Sequence, residues 1–150
     1  MLIDYPLVKL LHIVVAVVGL GTSAGLGIVL EFYGGHPVHG PFVLRMIFRL
    51  VLFVVVPAYV LMLVTGGWLT HLSWSFTTKW IQSALVLWAI GALLLPMSLV
   101  VLRKQAAQLE SAGSASASYR RISLLSRLLG GGFGLVVVAV LYLMVVKPGT

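Results

Sequence analysis

The chain has no cysteine. That absence excludes disulfides, thiolate metal centres, iron–sulfur clusters and covalently attached c-type haem. Acidic residues are nearly absent too: Asp4, Glu31 and Glu110 are the only carboxylates. Paired-carboxylate hydrolysis therefore lacks its parts. No acid lies inside an apolar stretch to carry protons for a coupled transporter. Charged residues of both signs make up only 9% of 150 residues, against about 25% in a soluble domain. Such a chain cannot coat a water-facing surface, and at 61% hydrophobic it is not disordered either. There is no GxSxG, P-loop or HExxH motif.

What the chain does have is long apolar runs. The stretches between Lys9 and Glu31, Arg49 and His71, Lys79 and Arg103, and Arg127 and Lys147 each hold about 20 uncharged residues. That is what a helix needs to cross a hydrocarbon core of about 30 Å. Lipid offers no partner to an exposed strand edge, so helices are required. The expected fold is an all-α, integral-membrane four-helix bundle with spans about 7–31, 48–70, 79–103 and 126–147. The whole chain, 1–150, reads as a single transmembrane domain with a flexible cytoplasmic loop at about 104–125, in which the low-complexity run Ser111-Ala-Gly-Ser-Ala-Ser-Ala-Ser118 is expected to form a flexible or frayed turn between helix extensions Arg103–Glu110 and Tyr119–Arg127. The first span is expected to be retained and not cleaved, because Asp4 precedes it and no small-residue cleavage site follows. Pro57 and Pro96 lie within spans two and three and are expected to kink them.

The net charge is +7, and its distribution orients the chain. Arg45, Arg49, Arg103, Lys104, Arg120, Arg121 and Arg127 flank two connections. Lys9, Lys79 and Lys147 lie on the opposite side. The positive-inside rule puts the seven cations in the cytoplasm, with both termini outside. Trp68, Trp74 and Trp80 mark the outer boundary as an aromatic belt. The basic excess points to anionic lipid headgroups, with Arg120, Arg121 and Arg127 as the patch, and not to nucleic acid. The expected location is the bacterial inner membrane.

His12 is the ionisable residue that sits deepest in an apolar run. Ala16, Gly19, Ser23 and Gly27 follow it on the same helical face. Small residues at this spacing let helices approach closely, and a histidine among them can serve a helix–helix hydrogen bond. The same groove would admit a flat macrocycle ligated by His12, with Gly19 and Ser23 making room. Both readings stay open. His71 ends span two on the same side and is the preferred second ligand, with Met62 in reserve. Gln82, Trp68 and Trp80 would line the outer edge, near a haem propionate or a quinone. In the loop Gly34-Gly-His-Pro-Val-His-Gly-Pro41, His36 and His39 could share a metal with Glu31, a weaker alternative. The run Gly130-Gly-Gly-Phe-Gly134 is expected to permit close packing or a local break.

Three segments carry a family resemblance: Lys9-Leu-Leu-His-Ile13 with its glycine-rich half-helix, Pro57-Ala-Tyr-Val with Thr65-Gly-Gly-Trp-Leu69, and Trp80-Ile-Gln-Ser-Ala-Leu85. Over about 7–105 they resemble a four-helix bacterial family described only as predicted integral membrane proteins. The pattern is similar to copper-resistance D-type domains and to the four-helix membrane protoporphyrinogen oxidase. Ala84 stands where the oxidase has lysine, and the oxidase's histidine near the end of the third helix has no counterpart here. The resemblance implies the fold and a haem b histidine at His12, without implying a reaction. The expected function is a small b-type cytochrome or haem-bearing subunit of a redox complex, partnered by other redox subunits or a second copy. The alternatives are a cofactor-free accessory or assembly subunit, or a metal or small-solute permeation protein.

Overall fold

The computed structural model describes residues 4–148. It is all-helical, 88% helix. Four long helices run α1 (Asp4–Tyr33), α2 (Gly40–Ser73), α3 (Lys79–Ala112) and α4 (Ala117–Val146). At 1.5 Å per residue each is about 45–50 Å long, longer than the ~30 Å hydrocarbon core. All four are apolar enough to span a membrane. Only 11–22% of each span's most apolar window is buried between helices, so most of the apolar surface requires lipid to cover it.

The helices start and stop where local chemistry dictates. Gly40-Pro41 opens α2 with proline in its first turn, where the missing N–H costs nothing. Gly113 closes α3 at φ +74°, a left-handed conformation that favours glycine. Ser116 caps α4 by accepting from the Tyr119 amide at 3.2 Å. The loop expected over 104–125 thus narrows to a short turn inside the low-complexity run, between helical stretches that include Arg103–Glu110 and Tyr119–Arg127. Helix fills that stretch except at residues 113–116, because alanine and an N-cap serine favour helix here.

Both short connections, 34–39 and 113–116, lie at one end of the bundle with the seven clustered cations. The described ends of α1 and α4 and the 74–78 turn lie at the other. We call these the basic end and the terminal end. The most completely enclosed packing is at the basic end. Leu26, Val43, Leu44, Ile47, Leu102, Leu109 and Tyr119 form its core, and Leu44 is wholly buried. A smaller cluster of Val55, Tyr59, Leu95 and Phe133 lies further along. Two ion pairs tie the helices together there: Arg45 of α2 with Glu110 of α3, and Arg127 of α4 with Glu31 of α1 at 3.0 Å.

α2 changes partner along its length. Its first half lies mainly on α3, and its second half lies on α1. Between the halves, Val51–Val55 is a π-helical stretch, closed by a bond from the Val56 amide to the Val51 carbonyl. Pro57 follows at once. Its ring would press on the Phe53 carbonyl in a regular α-turn, and the wider π-turn relieves that contact. The kink expected at Pro57 thus takes the form of a π-turn. Pro96 lies inside continuous α3. α4 runs unbroken through Gly130-Gly-Gly-Phe-Gly134. A Cβ at Gly130, Gly131 or Gly134 would meet nothing within 4 Å, so these glycines permit no close approach within the chain.

Candidate functional site

α1 buries a stripe of Val8, His12, Val15, Gly19 and Leu26. Val8, His12, Val15 and Gly19, spaced by four, three and four, share one face, and that face lies against the second half of α2; Leu26, seven residues further on, joins the basic-end core beside the first half of α2. His12 is 8% exposed. Its Nδ1 lies 2.7 Å from Thr65 Oγ1. Thr65 Oγ1 in turn lies 2.7 Å from the Leu61 carbonyl. A carbonyl only accepts, so the hydroxyl hydrogen goes to Leu61, and Nδ1–H donates to Thr65. This network assigns the tautomer. It leaves Nε2 as a bare acceptor with no hydrogen-bond partner among the described residues. Nε2 is also not among the fully enclosed unpartnered atoms, which are Trp80 Nε1 and Gln105 Oε1. Gly66 matters here for its lack of a side chain. A Cβ there would stand 3.3 Å from His12 Cε1.

The other expected site residues do not gather around His12. Gly19 does not line a slot, because a Cβ there would stand 2.9 Å from the Ala58 Cβ. The groove of small residues is thus filled by α2 itself. Ser23 turns its hydroxyl back to the Gly19 carbonyl at 2.8 Å. Gly27 faces open space. His71 is exposed. It lies six residues beyond Thr65, so about 9 Å further along the axis and about 120° away around it. Met62 packs on the Tyr59–Phe133 cluster. A macrocycle held between α1 and α2 by His12 and His71 therefore does not fit these side chains.

At the terminal end, Trp74 and Trp80 meet edge to face at 5.4 Å, and Lys147 Nζ sits 4.8 Å above the Trp74 ring. Trp68 and Gln82 are exposed. At the basic end, His36 and His39 stack at 4.7 Å. His36 Nδ1 accepts the Val38 and His39 amides, both at 3.2 Å. Glu31 is turned to Arg127. Among the described residues no three His, Asp or Glu side chains converge to hold a metal, so the Glu31, His36 and His39 set is not assembled.

Sequence reasoning missed Thr65, whose partnership with His12 spans 53 positions. It also missed two other polar links. Tyr59 donates to the Trp88 carbonyl at 2.7 Å, and Trp88 Nε1 returns a bond to the Tyr59 carbonyl at 3.2 Å. Tyr119 donates to the Gly34 carbonyl at 2.7 Å and accepts from Gln105 Nε2 at 3.2 Å. Isolated polar residues in otherwise apolar helices were the only available signal.

The chain matches the family described as "Predicted integral membrane protein (DUF2269)" over residues 6–148, and it belongs to that family. No curated protein and no solved structure matches it.

Proposed function

We propose that this integral membrane protein is a haem-bearing subunit of a redox complex in the bacterial inner membrane, and that His12 supplies one axial ligand through Nε2. One observation carries the reading. Nδ1 is engaged by Thr65 while Nε2 has no hydrogen-bond partner among the described residues. A hydrogen bond on the far ring nitrogen fixes the tautomer and orientation of a metal-binding imidazole. Haem b, when bound, supplies one-electron chemistry. The chain's own residues hold and aim the imidazole. Because Ala58 fills the groove at Gly19 and His71 lies elsewhere, the second ligand comes from a second copy or another subunit. Exposed Gln82 and Trp68 are the groups offered to a propionate or a quinone.

A second reading has its own support. The contact at Gly19–Ala58 and the His12–Thr65 bond together account for the small-residue face as helix packing. That favours a cofactor-free accessory or assembly subunit.

Absorption spectra of detergent-purified protein, oxidised and dithionite-reduced, with haem extraction, separate the two. A Soret band and sharp reduced bands that vanish in His12→Ala support the first. Thr65→Val should retain haem with shifted bands, since it frees Nδ1 without removing Nε2. A featureless spectrum from haem-replete cells sinks the first reading and leaves the second.

A further inference from the structure

An open groove of about 320 Å³ runs between α2 and α3 at the basic end. Leu44, Phe48, Leu102 and Ala106 give it an apolar lining, and Arg45, Arg49, Arg103 and Glu110 surround it. Glu110 is occupied by Arg45. Arg103 lies with its guanidinium carbon 4.4 Å from the centre of the Phe48 ring, a contact that leaves its charge unneutralised. Arg49 is exposed and has no acidic partner among the described residues. The groove is therefore lined from neighbouring helices by two arginines without an acidic partner among the described residues.

Their level matters as much as their sign. Arg49 is the last cation before the charge-free stretch of α2, and Arg103 is the first after that of α3. Both stand where hydrocarbon gives way to headgroups. A free anion would match the arginines but gain nothing from the apolar lining. An amphiphile matches both. Planar guanidinium groups bind phosphate oxygens in pairs, and basic pockets between membrane helices suit anionic headgroups. The stretch read as the headgroup patch from sequence is different: Arg127 is spent on Glu31, and no groove opens beside Arg120 and Arg121 among the cavities described.

We infer that the α2–α3 groove binds the phosphodiester headgroup of an anionic phospholipid through Arg49 and Arg103, with the start of its acyl chains on the apolar lining. Native mass spectrometry tests it, using intact protein in mild detergent with equal amounts of phosphatidylglycerol and phosphatidylcholine. Wild type should retain phosphatidylglycerol with about tenfold preference. Arg49→Gln with Arg103→Gln should abolish the preference, and Arg120→Gln with Arg121→Gln should keep it. Excess inorganic phosphate should not displace the lipid. Equal binding of the two lipids by wild type overturns the inference without any variant. So does displacement by phosphate, or a preference unchanged in the folded Arg49/Arg103 double variant.

Discussion

Tyr119→Phe removes one oxygen from the most tightly packed part of the molecule. That oxygen serves two bonds, one to the Gly34 carbonyl at 2.7 Å and one from Gln105 Nε2 at 3.2 Å. Tyr119 is 5% exposed and Gln105 1%, so water cannot replace either bond without repacking. Each buried polar group left unpaired costs about 1–3 kcal/mol. Two such groups give an expected loss of about 2–4 kcal/mol, allowing for relaxation. Gln105→Leu should behave oppositely. Its Oε1 is already buried without a partner among the described residues, and Tyr119 keeps its stronger bond to Gly34. Replacement by an apolar side chain of similar volume should change stability by less than about 1 kcal/mol. The double variant should then be more stable than Tyr119→Phe alone, since only Gly34 remains unpaired. Reversible unfolding in mixed micelles, followed by circular dichroism, reads all three. If Gln105→Leu costs as much as Tyr119→Phe, the amide is contributing a bond that this reasoning denies it.

Gly19→Ala should destabilise by about 1–3 kcal/mol by forcing α1 off Ala58, whereas Gly27→Ala, facing open space, should stay within about 1 kcal/mol; the same micelle titration checks both. Gly91→Ala puts a methyl into the space of the Tyr59 hydroxyl. It should break the Tyr59–Trp88 stack, seen as loss of near-ultraviolet circular dichroism, at a cost of about 1–3 kcal/mol. Glu31→Gln should cost under about 1 kcal/mol, because its ion pair with Arg127 is half-exposed. An equal effect at low and high salt would argue against an ionic origin.

The spans were legible because lipid imposes one rule on every residue at once. A charge-free run of this length has to be helix, and neither Pro57 nor Pro96 prevents it. The helix ends were less legible. Outside the hydrocarbon, ordinary capping decides, and alanine-rich stretches around Ser111–Ser118 read equally as linker or helix. His12 stood out because an ionisable side chain among apolar neighbours is conspicuous in any sequence. Its surroundings did not. Whether the face holding Gly19 admits a ligand or a helix depends on Ala58, and only the three-dimensional crossing supplies that residue. Thr65 was hidden for the same reason, since a lone threonine in an apolar helix usually bonds to its own backbone, and this one does so as well as meeting His12.

The π-turn at Val51–Val55 makes α2 a two-sided joint. Its first half faces α3 through Val43, Leu44 and Ile47, and its second faces α1 through Ala58 and Thr65. A π-turn closes over about five residues where an α-turn takes about four, so this stretch holds one extra residue with almost no net rotation. Deleting a single valine there would let the helix close as regular α and leave Thr65 turned to His12, with the Pro57 ring then pressing on the carbonyl four residues before it. Deleting a residue from the regular turns between Val56 and Thr65 would instead swing Thr65 about 100° away. The pairing of α1 with α2 is therefore encoded by the count of residues between the joint and Thr65, and a length change there would be felt more than most substitutions.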